Sequence, residues 1–386
     1  MKMKKTLIYL LIVAAMAFVA CGDEPDDPVT PTEDKNLSGS ITGSKTLDAS
    51  VEYLLVGPLI VEEGGVLTIP AGTTIKAKKG FGSYILVLQG GKIYVNGTAE
   101  KPVTMTADIA NAEQGHWGGL IINGKAPLAD PAEKGSTEIN SAYLYGGTNA
   151  SDNSGSITYL KLEYTGARSS ANVEHNGLTL NGVGNGTKIE NIYIPHGADD
   201  GIEFFGGSVN VKNLLVVNSD DDMFDFTQGY NGTLENAYGI WEAGFVSSES
   251  DPRGVEADGN LDGAEPGHVN QANFTIKNMT IDLRLAASTT EGYYMHDVII
   301  IRRGAKATII NALVKGKGQV KDLIDLDDKK GHAQETTTIS ITNSLTTPIS
   351  GNEITKKDGT TYDNVKIENG NTGCPTNIFD WTGYTF

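Results

Sequence analysis

Three tripeptides near the middle of the chain, Glu190-Asn191-Ile192, Lys212-Asn213-Leu214 and Glu235-Asn236-Ala237, follow one another at spacings of 22 and then 23 residues. Self-similarity at a fixed period in this range marks a solenoid, in which each repeat buries its apolar face only against its neighbours. The repeated unit is built of strands. Around these tripeptides the sequence alternates short β-rich runs with Gly and Asn turns, and no stretch sustains the 3.6-residue periodicity of an amphipathic helix. Similar strings begin at 69 (IPAGTTIKAKK), 186 (GTKIENIYI), 207 (GSVNVKNLLVV), 231 (NGTLENAYGI), 272 (ANFTIKNMTI) and 305 (AKATIINALV). No leucine-rich-repeat pattern accompanies them. The expected fold is therefore all-β: a single-stranded parallel β-helix with coils of about 22 residues. In such a stack, equivalent positions of successive coils lie about 4.8 Å apart in columns.

The first forty residues stand outside that pattern. Lys2, Lys4 and Lys5 precede an apolar run from Leu7 to Ala20, the order of a secretory signal. The run is shorter than the roughly 20 residues that span a bilayer. Phe18-Val19-Ala20-Cys21 resembles a bacterial lipobox, with Phe18 in the place usually held by Leu, and the resemblance implies acylation at Cys21. The stretch GDEPDDPVTPTEDKN that follows is acidic, Pro-rich and poor in anything to bury, as a disordered tether is. Residues 1–20 thus read as a signal peptide, 21–40 as a lipid-anchored tether and 41–386 as one β-helix domain. The acidic residues directly after Cys21 resemble the surface-export signal of Bacteroidota lipoproteins, which implies attachment to the outer membrane with the domain exposed at the cell surface. With Cys21 lipidated only Cys374 remains, so no internal disulfide is expected.

The chain carries a formal charge of −18, and loses three further positive charges with the signal. Such a surface repels phosphate backbones and attracts cations, which excludes nucleic acid as a natural partner and favours metal ions or cationic groups.

Placing the coils on one another aligns the acidic residues. Glu203, Asp225, Glu256 and Asp325 each stand between apolar or small neighbours. Because strand side chains alternate, inward-pointing neighbours turn these carboxylates outward into one column. A second column runs through the preceding turns: Asp199 and Asp200 lie 22 residues before Asp221 and Asp222, and His175 and Asn176 lie 24 before Asp199 and Asp200. Stacked like charges repel unless a cation, an arginine or solvent intervenes. A Ca²⁺ ion suits such oxygen ligands, with Asp199, Asp200, Asp221, Asp222 and Asn176 as candidates, whereas Zn²⁺ calls for more His or Cys. Two alternatives stay open: a solvated acidic face, or neutralisation by Arg253, Arg302 and Arg303. The segment from Val246 to Val269 is the longest candidate insertion. Within it Asp258, Asn260 and Asp262 match the first half of a calcium loop, but Val269 falls where the bidentate carboxylate belongs. A long loop over the acidic face would wall a groove, with Glu203, Asp225, Glu256, Asp325, Arg253, Arg302 and Trp241 as the lining.

The runs Gly90–Ala107 (GGKIYVNGTAEKPVTMTA) and Gly115–Gly124 (GHWGGLIING) look like the opening coils of right-handed β-helix proteins. Together with HGADDGIEFFGG, NSDDDMFDFTQGYNG, DPRGVEADGN, IRRGAKATIINALV and the terminal FDWTGYTF, they resemble a family of exported or surface lipoproteins of Bacteroidota. That resemblance covers most of residues 50–386 and implies a right-handed β-helix and an envelope location. It supplies no reaction.

A catalytic set is incomplete. Asp199/Asp200 and Asp220 to Asp222 lie on adjacent coils, as the paired carboxylates of polygalacturonase-like hydrolases do. The Gly-His-Gly of that family is replaced by Trp241-Glu242-Ala243-Gly244, and its Arg-x-Lys is lacking. A calcium-assisted polysaccharide lyase would need Arg253 or Arg302 as a base. His175, His196, His268 and His296 belong to no recognisable nucleophile motif, and Trp117, Trp241 and Trp381 serve a core as readily as a sugar platform. The expected function is a non-catalytic envelope binding module whose ligand is a glycan, a divalent cation or another envelope protein. A lyase or hydrolase, and a structural or adhesive surface protein, are the alternatives.

Overall fold

In the computed structural model of the chain, residues 34–170 and 173–386 are described. The proposed signal peptide and Cys21 lie outside the described residues. Pairing begins at the strand Asn36–Ile41, which runs parallel to the first and last parts of Glu52–Val61. The β-helix therefore starts inside the segment expected to be tether, and Lys35–Phe386 forms one compact unit.

Successive coils pair in parallel and in register. Two families of strands alternate along the chain. Short strands make one face: Leu120–Asn123, Leu178–Asn181, Ile202–Phe205, Phe224–Thr227 and Arg253–Asp258. Longer strands make the rest of each coil: Lys188–Pro195, Asn210–Val217, Thr233–Trp241, Asn273–Leu283 and Lys306–Gly316. Each long strand bends at one asparagine with a left-handed backbone, at Asn191, Asn213, Asn236, Asn278 and Asn311. Asparagine tolerates that conformation better than other side-chain-bearing residues. Here it also gains a partner: each amide donates to the Oδ1 of the asparagine one coil earlier, at 2.8, 2.8, 2.9 and 2.8 Å from Asn213 to Asn311. The tripeptides that reveal the period in the sequence are thus an asparagine ladder.

Inward positions stack just as regularly. Leu180, Phe204, Phe226 and Ala257 are register neighbours and fully buried. Phe204 stacks on Phe226 at 4.9 Å between centroids, and Phe226 on Phe274 at 4.1 Å. The period of about 22 holds in the first coils, where Ser44 pairs with Val66 and Glu52 with Thr74, and in the middle, where Glu190 pairs with Lys212 and Lys212 with Glu235, but Glu235 then pairs with Lys277 and Lys277 with Ile310. Later coils are lengthened by loops. The expected insertion from Val246 to Val269 is not one loop, since the strand Arg253–Asp258 interrupts it and joins the short-strand face.

One excursion leaves the solenoid. An antiparallel hairpin, Gly135–Thr137 with Asn140–Tyr145, folds over the short-strand face. Tyr143 and Ile139 pack on Leu86 and Ile121, and the Asn123 amide donates to the carbonyl of Leu144 at 3.2 Å. The last residues fold back along the long strands, where Phe379 is buried against Leu215, Val217, Tyr238 and Ile240. Cys374 is buried and free. Among the described residues no helix is long and apolar enough to cross a membrane.

Candidate functional site

Strand register places two columns side by side on the short-strand face. One runs Thr179, Glu203, Asp225, Glu256, Ile300 and Asp325. Three residues earlier in each coil, Asn176, Asp200 and Asp222 stack above Arg253, Asp297 and Asp322. Glu203, Asp225 and Glu256 point away from the apolar interior, yet Glu203 is only 8% exposed because the hairpin covers this face. Asp325 does not continue the run, as Ile300 stands between it and Glu256.

The chain's own cations divide the columns into two halves. In the lower half Arg253 is buried among Glu256, Asp251, Asp222 at 3.8 Å and Asp297 at 3.4 Å. Arg302 pairs with Glu256 and, at 2.8 Å, with Asp258; Arg303 reaches Asp258 at 2.5 Å and Asp328 at 2.7 Å. Burial works against the Arg253 charge, but the surrounding carboxylates, Glu256 foremost, hold its pKa above the usual arginine value. Further down, Asp297 accepts from His296 at 2.8 Å and Lys321 lies 3.6 Å from Asp322.

The upper half is compensated less completely. Asp200, Glu203 and Asp225 bring carboxylate oxygens within 4.8 Å of one another, and Asp199, Asp200 and Asp221 do the same. Burial, and then the neighbouring carboxylates, push Asp200, Glu203, Asp222 and Asp225 well above the ordinary carboxylate range. Arg253 lies 3.8 Å from Asp222 and also acts on Asp221, Arg302 acts on Asp225, and Arg168 lies 3.9 Å from Asp220 while its nearer carboxylates are Glu174 and Glu249. Asn176 turns its amide to Glu203 Oε2 at 2.6 Å, and the Asp222 backbone N–H donates to Asp200 Oδ1 at 3.0 Å.

Above Glu203, Asp225 and Glu256 opens a cleft of about 230 Å³, walled by Glu138 and Tyr145 of the hairpin and by Leu261 and Asp262 of a short 3₁₀ turn. It adjoins a second hollow of about 340 Å³ that shares Ser136, Tyr145, Leu261 and Asp262. The Tyr145 hydroxyl is fixed by Gln228 at 2.8 Å. Three residues expected in this groove serve otherwise. Trp241 is fully buried, donates to the Ser219 carbonyl at 3.1 Å and packs on Phe245. Arg253 and Arg302 are occupied by ion pairs, because the columns beneath them are acidic.

The half calcium loop does not close. Asp258 ends a strand and faces two arginines, Asn260 binds Gln271 at 2.8 Å and caps the Glu265 N–H at 2.8 Å, and Asp262 lines the cleft wall. Of the hydrolase-type carboxylates, Asp220 is held by the Ser248 N–H, whereas Asp199, Asp200 and Asp221 of adjacent coils come within 4.8 Å of one another; Glu242, where that family's Gly-His-Gly would lie, is held by Asn218 and Tyr384. His175 gives its Nε2 to the Phe81 carbonyl at 3.0 Å, and burial lowers its pKa to about 4, so it is neutral. His196 stacks on Tyr164. Sequence reasoning missed Glu138, Tyr145 and Gln228. Only the alternation of Ile139, Tyr143 and Tyr145 hinted at a strand there.

A stack of parallel coils with an acidic, partly roofed outer face defines the molecule as a β-helix protein with a ligand-sized cleft. The chain matches the family model described as a pectate-lyase-like β-helix domain over residues 39–385, and it belongs to that family. No curated protein and no solved structure matches it.

Proposed function

We propose that this is an envelope protein of a Bacteroidota bacterium that binds a glycan in the cleft beneath the hairpin without cleaving it. Family membership supports a carbohydrate-related role. The observation that carries the non-catalytic reading is the state of the arginines: Arg253 and Arg302, which would have to take a proton from a uronate ring, are each held by several carboxylates. Multiple ion pairs raise an arginine's pKa further and remove it as a base. The cleft itself offers acceptors, with Glu138, Glu203, Asp225, Glu256 and Asp262 around the Tyr145 ring. Carboxylates accept from sugar hydroxyls and pair with ammonium groups, so neutral or amino sugars fit and uronates are repelled.

The lipobox-like run ending at Cys21 and the acidic segment after it support attachment to the outer membrane through lipid, with the domain outside the cell. Metabolic labelling with a fatty-acid probe should mark the protein and fail with Cys21→Ala.

Calorimetry of the purified mature protein with neutral, amino and uronic oligosaccharides tests the ligand. Binding of a neutral or amino sugar that Tyr145→Ala weakens, with no unsaturated uronide formed from polygalacturonate plus calcium, is the expected outcome. Release of that unsaturated product would instead establish the second reading, a calcium-assisted lyase, which the family description favours.

A further inference from the structure

We infer that residues 371–386 act as a strap that locks the coils from Gly155–Leu162 to Thr338–Leu345 into one cooperative unit. In a solenoid each repeat touches only its neighbours, so coils near an end can open one at a time. Here the chain turns back after the strand Val365–Ile367 and crosses the long strands towards earlier coils. At the root of the strap the Asn371 N–H donates to Thr342 Oγ1 at 3.1 Å, and the Thr372 N–H to Asn311 Oδ1 at 2.7 Å. The Cys374 N–H then donates to Thr280 Oγ1 at 2.9 Å. At the far end the Lys161 ammonium donates to the Thr382 carbonyl at 2.7 Å, and Trp381 meets the Tyr159 ring edge-on at 5.3 Å between centroids.

The stack is built to receive it. Tyr193, Leu215, Tyr238, Thr280 and Leu313 are register neighbours on successive coils. Leu214 and Val216 belong to the interior, so alternation turns Leu215 and Val217 outward, yet both are buried. Phe379 covers them together with Tyr238 and Ile240, and Tyr384 packs on Tyr193. Lifting the strap would return this apolar column to water, so burial holds the strap down. Polar contacts fasten its end: Arg284 donates to the Tyr384 hydroxyl at 3.2 Å, and that hydroxyl donates to Glu242 at 3.0 Å. Near the root, Gly373 has a φ of 68°, and a Cβ added there would lie 2.1 Å from Thr280 Oγ1. The strap thus lies on the strand at a distance that glycine permits.

The Lys161–Thr382 bond alone joins residues 221 positions apart. A coil beneath the strap cannot leave the stack without breaking contacts that also hold other coils, so these coils open together and not in sequence from the end. The lock lies on the long strands and does not depend on the cleft of the short-strand face or on its ligand.

Native-state hydrogen exchange of the mature protein at low urea, read by mass spectrometry, tests the lock. In the parent, Asn210–Val217, Asn273–Leu283 and Lys306–Gly316 should exchange through one shared opening with equal sensitivity to urea. Phe379→Ala should speed exchange in all three by about a hundredfold, the factor that truncating a buried phenylalanine brings. Lys92–Asn96, in a coil ahead of the strap, should keep its rate. Gly373→Ala, which lifts the root and leaves the apolar column intact, should give the same pattern more weakly. Exchange in the parent that quickens coil by coil towards Thr338–Leu345 would overturn the lock, and that profile decides the matter even where Phe379→Ala does not fold. Unchanged rates in both variants, or acceleration confined to the strands that Phe379 touches, would overturn it as well.

Discussion

Replacing Arg253 by methionine tests whether the chain's own cations hold the lower half of the acidic columns together. Methionine keeps much of the side-chain volume and removes the charge. The change leaves Glu256, Asp222, Asp251 and Asp297 facing a cavity from which their guanidinium has gone. Removing one partner of a buried ion pair typically costs about 3–5 kcal/mol, because the remaining charge is neither solvated nor paired. Glu256 keeps Arg302, Asp297 keeps His296 and Asp251 is half exposed, but Asp222 loses its guanidinium outright, so a loss of at most about 5 kcal/mol is expected. With an unfolding entropy of roughly 2 cal/mol/K per residue over about 350 residues, 5 kcal/mol corresponds to a drop of about 6–7 °C. The loss should have a particular pH dependence. Stranded carboxylates acquire raised folded-state pKa values, so their penalty is small in acid, where they are protonated in both states, and grows as the pH rises. Urea unfolding of Arg253→Met across that range, beside the double variant Arg253→Met/Glu256→Gln, reads this directly. The double variant should recover part of the loss, since it removes the carboxylate nearest the missing guanidinium while Arg302 keeps Asp258. A single variant as stable as the parent at neutral pH, or a loss that shrinks as pH rises, would refute the neutralisation argument.

Two further changes probe the scaffold and the end of the column. Asn236→Ala should cost about 3 kcal/mol in urea unfolding, since it removes two ladder hydrogen bonds of about 1 kcal/mol each and leaves an alanine at a φ of 61°. Asn236→Gly, which adopts that conformation freely, should cost about 1 kcal/mol less, and equal stability of the alanine variant and the parent would argue against the ladder. Burial raises the pKa of Asp325 from 3.8 to about 6, so its favourable contribution is present below the unfolded value and is lost as the pH rises through 6. Discounted for partial exposure, Asp325→Asn should stabilise the protein by about 1–2 kcal/mol above that pH and converge with the parent in acid, as thermal melts at several pH values would reveal.

The sequence by itself determined the repeating backbone. Periodic Asn191, Asn213 and Asn236 fix the coil, and the alternation in Ile202-Glu203-Phe204 and Phe224-Asp225-Phe226 fixes which side chains face out. Both are local properties, because a strand's two-residue period and a coil's stacking leave a side chain nowhere else to go. Tertiary structure decided which charges meet compensation. Arg253 enters the column from a coil whose length is set by irregular loops, and Ile300 falls between Glu256 and Asp325 for the same reason. The hairpin Gly135–Tyr145 roofs a face built from strands far along the chain. No local spacing encodes that contact. Repulsion among carboxylates in neighbouring coils depends on burial and on the nearest cation, and both are set by segments distant in sequence, so only the folded molecule separates the half gathered around Arg253 and Arg302 from the half where carboxylates mainly face one another.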